Sequence, residues 1–126
     1  SHQMPLYPGS GAASERGASD NVLNVPLAPG SGGAEMRAAY EGRVFPRLRD
    51  WQPELILISA GFDAHVDDDI SELAFSDADY HWLTQFVLNI ARSHANGRLV
   101  SLLEGGYELQ SLARCAGGHV KLLSGL

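Results

Sequence analysis

Four consecutive apolar residues, Leu55 to Ile58, stand out from a chain in which apolar and polar positions otherwise mix. They sit in ELILISAG (54–61) and predict a strand covered on both faces, the pattern of parallel sheets. RLVSLL (98–103) predicts a second buried strand, and NVLNVPL (21–27) a short one with Pro26 suited to its end or to an edge. A helical period starts at Ala34, with Tyr40, Val44, Leu48 and Trp51 at i, i+4, i+8 and i+11 and Phe45 beside them; Pro46 predicts a kink or break. Ser76 suits an N-cap, with Asp77 and Asp79 favourable in the first turn. The helix it opens carries Leu83, Phe86, Val87, Ile90, Ala91 and His94 on one stripe and ends at Asn96-Gly97. Leu109, Leu112, Ala113, Ala116, Val120 and Leu123 predict a last amphipathic helix, weakened by Gly117-Gly118. YPGSGAASERGASD (7–20) and APGSGG (28–33) read as loops, and EGGY (104–107) as a turn. Strands alternating with helices imply an α/β fold, a mostly parallel sheet with flanking helices and right-handed crossovers. One domain is expected over 1–126, loop-rich over 1–20 and β-α-β-α-β-α over 21–126.

Composition narrows the function classes. A net charge of −6 speaks against nucleic acid or an anionic membrane as the main partner, since both require basic patches. Cys115 is the only cysteine, so neither an intrachain disulfide nor a cysteine-rich zinc site can form; a reducing, cytoplasmic setting is expected. No apolar run reaches the ~18–20 residues that span a membrane. The opening SHQMPLYPGS has no charged segment followed by an apolar one, so no signal peptide is expected there. It also lacks an initiator Met at position 1: either Ser1-His2 is an appended dipeptide or the chain is a piece of something longer.

In open α/β sheets, ligands bind beyond the carboxyl ends of the strands. Here the strand 54–60 runs into Gly61-Phe62-Asp63-Ala64-His65, and 98–103 runs into Glu104-Gly105-Gly106-Tyr107. If the two strands are parallel neighbours, Asp63 and Tyr107 open onto one crevice. The carboxylate could hold a divalent metal, and the phenol could donate to an oxygen that becomes negative during reaction. Spacing alone leaves a second reading open, in which Asp63 and His65 cap a loop or helix start and Tyr107 anchors the last helix.

AGFDAH and LLEGGY together resemble the histone deacetylase family, which includes the bacterial histone deacetylase-like amidohydrolases and acetylpolyamine amidohydrolases. HQMPLYPGSGAASERG and NVPLAPGSGG resemble two earlier segments of the same family, in the same order. The resemblance implies part of an arginase/deacetylase-like fold and zinc-dependent hydrolysis of an acetyl amide, with acetylated lysine or polyamine as substrate. Asp63 matches the family's last zinc ligand, and Tyr107 the tyrosine that stabilises the tetrahedral oxyanion. Tyr7 falls where the family places an aromatic wall of the acyl-lysine channel, and Ile70 on an apolar channel residue. Gly105 and Gly106 line the floor near the tyrosine, and His65 is expected to support the ligand from behind it.

The resemblance also implies parts that this chain lacks. The family's other two zinc ligands come from an Asp-x-His segment that precedes everything here, and a His-His pair lies earlier still; no HH occurs in the chain. One ligand cannot hold catalytic zinc tightly, so the chain alone is expected to be inactive. The alternative is a non-catalytic α/β module acting by association, as a homo-oligomer or with a missing N-terminal part. Asp79-Tyr80-His81 copies the Asp-x-His spacing but opens a helix, where a capping carboxylate and an exposed His are expected. Cys115 is expected in the core, while His2 and His119 have no partner legible in the sequence. The GSG triplets at 9–11 and 30–32 lack the full phosphate-loop pattern, and Asp67-Asp68-Asp69 lacks the spacing of a calcium loop. Where the family usually has Asp-Pro-Leu, this chain has Asp68-Asp69-Ile70.

Overall fold

A computed structural model describes residues 1–125. Among these residues, four short strands, four α-helices and one π-helical turn follow one another. Strands β1 (His2–Gln3) and β2 (Pro26–Leu27) pair in parallel, and so do β3 (Ile56–Ala60) and β4 (Leu99–Leu103). The strand expected over 21–27 is therefore confined to its last two residues, and β1 lies within the stretch expected as loop. That loop is held by polar contacts. The carboxylate of Glu15 accepts from the N–H groups of Gly11 and Ala12, and Asn24 donates to the carbonyls of Ala12 and Glu15. Arg16 and Arg47 both pair with Asp20.

The predicted helix from Ala34 comes in three pieces: α1 (Gly33–Ala39), a π-helical turn (Tyr40–Val44) and α2 (Phe45–Trp51). Pro46 lies in the first turn of α2. It has no N–H to give back to residue 42, so the break falls just before it, where the N–H of Phe45 reaches back to the carbonyl of Tyr40. Glu35 closes the start of α1 by accepting from the Gly32 N–H at 2.9 Å.

Helix α3 (Asp77–His94) crosses from β3 to β4, and α4 (Leu109–Ser124) packs beside it. Both ends of α3 follow the sequence. Asp79 accepts from the Ser76 N–H and hydroxyl at 2.9 and 2.7 Å, and Asn96 and Gly97 take positive φ beyond the last turn. Gly117 and Gly118 do not interrupt α4. The core gathers Val25, Leu27, Met36, Phe62, Phe75 and Tyr80 between these helices and the inner face of β3–β4. Tyr40, Phe45, Trp82 and Phe86 join it through edge-on and stacked ring contacts.

Two expectations about burial change. The apolar runs of β3 and β4 predicted cover on both faces, yet Leu57 is 67% exposed, and its register partner Val100 is exposed beside it. Helices α3 and α4 cover one face only, the face on which Ser101 meets His119 of α4. On α4 itself, Leu112 and Ala116 of the expected stripe pack against the core, but Leu109 is 73% exposed and Val120 is also open, while Ser111, Cys115 and His119 at i, i+4 and i+8 are buried. Hydrogen bonding sets that face. Ser111 is tied to Glu108, and His119 bridges Thr84 and Ser101, so these polar groups can leave water without being stranded.

Candidate metal and oxyanion site at the ends of two strands

Residues Ile56 to Ala60 pair in order with Leu99 to Leu103, so both strands end at the same edge. The condition set by the sequence, parallel neighbouring strands, is met. Past that edge the two loops remain joined: the N–H of Phe62 donates to the Gly105 carbonyl at 2.8 Å.

Asp63 is half-buried beside this junction. A Cβ on Gly105 would lie 2.6 Å from its Oδ2 and 2.8 Å from its Oδ1, and one on Gly61 would lie 3.0 Å from Oδ1. Only bare backbone leaves room for the carboxylate there. The Asp63 carbonyl accepts from the Ser71 hydroxyl at 3.1 Å, while its carboxylate takes no hydrogen bond among the described residues. The adjacent Ala64 N–H donates at 3.1 Å to the buried phenol of Tyr80. Burial pushes that phenol's pKa well above its ordinary value, so it stays neutral as an acceptor.

Asp63, Ile70 and Gly105 line one cavity of about 450 Å³, together with Phe62, Thr84 and His119. Tyr7, Gly106 and Tyr107 do not line it. Tyr7 is 94% exposed and Tyr107 is 61% exposed. Gly106 has φ +138, and a Cβ there would meet Leu112 at 2.8 Å, so it turns the chain sharply where α4 approaches.

His65 is buried and faces a different group. Its Nδ1 accepts from the Asp67 N–H at 3.0 Å, and a backbone N–H can only donate. The proton therefore sits on Nε2, which donates to Asp77 Oδ1 at 2.8 Å. Asp77 also receives the Cys115 thiol and Arg114, whose Nε lies 2.7 Å from Oδ2. Arg114 foremost, then His65, holds the Asp77 carboxyl down at about 2. Burial, then Asp77, pushes the Cys115 thiol up to about 12. His65, Asp77 and Cys115 bring three ligating atoms within 4.8 Å of one another. In this arrangement both imidazole nitrogens are engaged, Nδ1 by the Asp67 N–H and Nε2 by Asp77, and burial favours the protonated thiol. The cluster thus ties the 63–77 loop to α4, and Cys115 is a core residue as expected from the sequence.

Sequence reasoning noted Asp68 in the acidic run 67–69 but gave it no role. It is 4% exposed and reaches the second loop, accepting from the N–H groups of Tyr107 at 2.7 Å and Glu108 at 3.1 Å, while Oδ1 accepts from Ile70 at 3.1 Å. Burial would raise its pKa, and these backbone donors more than offset that, leaving it lowered. The Ile70 contact is an Asx turn and is legible in the sequence; the reach to Tyr107 is not. Asp79, read as a capping carboxylate, caps α3 and also pairs with Arg37 at 2.8 Å. His81 is exposed.

For a zinc ion, Asp63 offers the right donor chemistry: an oxygen ligand free of competing hydrogen bonds. Among the described residues it is not joined by two further ligating side chains.

The sequence model of the family described as "Histone deacetylase domain" matches residues 1–123. The chain belongs to this family. The histone deacetylase-like amidohydrolase of Pseudomonas aeruginosa is 36% identical over 130 residues, covering 99% of this chain and 34% of that protein. Histone deacetylase 14, chloroplastic, of Arabidopsis thaliana is 38% identical over 127 residues, covering 98% and 30%. The crystal structure of the HDA15 HD domain superposes with a TM-score of 0.87 at 33% identity, over 96% of this chain and 34% of that one. The chain thus spans about a third of the length of these three relatives, and its α/β architecture with parallel strands and flanking helices is part of the deacetylase fold. No helix among the described residues is long and apolar enough to cross a membrane.

Proposed function

We propose that this chain is the part of a zinc-dependent acetyl-amide hydrolase that contributes one metal ligand, Asp63, and the oxyanion-stabilising hydroxyl of Tyr107. The Asp63 carboxylate carries the reading. A half-buried carboxylate normally collects donors; this one is seated against Gly61 and Gly105 and keeps its lone pairs clear. Zinc held there by Asp63 would supply Lewis-acid polarisation of the amide carbonyl and activation of the attacking water. The residues of this chain hold and orient. Asp63 supplies an oxygen ligand, and Gly105 and Gly106 let backbone and substrate approach closely. Tyr107 donates its O–H to the carbonyl oxygen as that oxygen becomes negative. Tyr7 and Ile70 wall the path of the acyl chain, and His65 stiffens the loop that carries Asp63. The remaining ligands and the His-His pair belong to segments outside this chain, so turnover requires them.

The substrate class is acetylated lysine or acetylated polyamine. Both are carried on cationic molecules, which the net charge of −6 mildly favours. The test is deacetylation of an acetyl-lysine peptide and of an acetylpolyamine by this chain supplied with those segments, and by its Asp63→Ala and Tyr107→Phe variants in the same form, with zinc content measured in each. Asp63→Ala should lose zinc and activity together. Tyr107→Phe should keep zinc and lose kcat on the order of 10²–10³-fold. Full activity and unchanged zinc in Asp63→Ala would sink the proposal.

A second reading, association without catalysis, is favoured by the open apolar face carrying Leu57, Val100 and Leu102. Sedimentation analysis separates the two. A concentration-dependent dimer without deacetylase activity supports association, and a clean monomer counts against it.

A further inference from the structure

We infer that Asp68 is a positioning residue for Tyr107, its carboxylate fixing the backbone from which the proposed oxyanion donor stands; this rests on the reading of Tyr107 given above. Tyr107 follows two glycines, and Gly106 holds a φ of +138. A chain segment of that kind does not fix the next residue by itself. Asp68 supplies what the segment lacks. One of its oxygens accepts from two successive N–H groups, Tyr107 at 2.7 Å and Glu108 at 3.1 Å. Its other oxygen accepts from Ile70 at 3.1 Å.

Both loops are thereby held by one carboxylate, across a sequence separation of 39 residues to Tyr107. Ile70, on the candidate acyl channel, and Tyr107 are coupled through it: a shift of Ile70 leaves one buried carboxylate oxygen unpaired, and a shift of Tyr107 takes from the other the shorter of its two N–H donors. The bond continues into α4: Glu108 gives its own N–H to Asp68 and caps the helix by accepting from Gln110 and Ser111. The exposed Tyr107 ring therefore swings from a backbone that is fixed on both sides.

All three partners of Asp68 are N–H donors, so an amide in its place must turn an NH₂ group toward at least one of them. Asp68→Asn is the informative variant, made alone and with Tyr107→Phe in the chain supplied with the segments that turnover requires, with kcat and KM for an acetyl-lysine peptide and zinc content measured in each. Asp68→Asn alone should lower kcat between about tenfold and about a hundredfold, with KM and zinc content little changed. In the Tyr107→Phe background the same substitution should have no further effect, because the hydroxyl it positions is gone. A purely structural role would give equal losses in both backgrounds, and that result overturns the inference while leaving the reading of Tyr107 intact. If Tyr107→Phe alone leaves kcat unchanged, the reading of Tyr107 fails first and this inference with it. Should Asp68→Asn not fold, Asp68→Glu keeps the charge but misplaces it by one methylene, and the same cycle applies. Amide exchange provides a check independent of turnover: Tyr107 and Glu108 N–H protection should be lost in the variant, and retained protection contradicts the inference.

Discussion

The Asp63 carboxylate occupies the space that a side chain at Gly105 would fill, with the Gly105 Cβ position only 2.6 Å from Asp63 Oδ2. The obstacle is the end of a movable side chain rather than backbone. Gly105→Ala should therefore cost little stability, about 1 kcal/mol in urea unfolding. It should nevertheless displace the carboxylate and lower zinc content and deacetylation by roughly tenfold or more, since ligands must hold position within a few tenths of an ångström. Unchanged zinc content in a folded Gly105→Ala protein would separate Asp63 from the metal.

His119 gives a pH-dependent stability. Thr84 donates its hydroxyl to the Tyr80 carbonyl, so it accepts from His119 Nδ1–H at 2.8 Å, and His119 Nε2 accepts from Ser101 at 2.9 Å. Burial lowers the folded-state pKa below the ordinary 6.5, so the unfolded chain takes up the proton first. The contribution is fully present above pH 6.5 and is lost as pH falls through the folded value. Urea midpoints should fall as pH drops from about 7 to about 5, and His119→Gln should flatten that slope. An unchanged slope in the variant would assign it to another group.

Asp77 and Arg114 set a second, more acidic window. Arg114 foremost holds the Asp77 pKa at about 2, against an ordinary 3.8. Its contribution is present above pH 3.8 and is lost as pH falls toward about 2. In Arg114→Leu the Asp77 carboxyl should titrate closer to 3.8, a shift that carboxyl carbon NMR reads directly. The pair is half-exposed, so the change in stability should be small at physiological salt.

Leu57 tests the open face. It is 67% exposed, so Leu57→Lys should leave stability within about 0.5 kcal/mol. If the face mediates association, the same variant should shift the protein toward monomer in sedimentation, because a buried ammonium without a partner is costly. Unchanged association would direct attention to the exposed Leu109 and Val120 of α4 instead.

Local signals were legible in the sequence because local chemistry determines them. Ser76 and Asp79 specify the start of α3, Asn96-Gly97 its end, and Pro46 the break before α2, each through backbone groups within a few residues. The apolar runs at 55–58 and 99–103 specified strands, and alternation with helices specified their parallel pairing. AGFDAH and LLEGGY specified the family. Which faces are covered is a different matter. Runs such as Leu55 to Ile58 indicate that a strand suits burial on both sides, but only the placement of α3 and α4 decided that Leu57 is open and Ile58 is packed. On α4 the apolar stripe correctly included Leu112 and Ala116, which pack against the core, but also Leu109 and Val120, which are open, while the fully buried line is Ser111, Cys115 and His119. A polar side chain can be buried wherever partners distant in sequence complete its hydrogen bonds, and periodicity does not register those partners. Asp68 is the same case at the candidate site. Its residue type and its turn with Ile70 are local, whereas its hold on Tyr107 exists only because β3 and β4 end side by side.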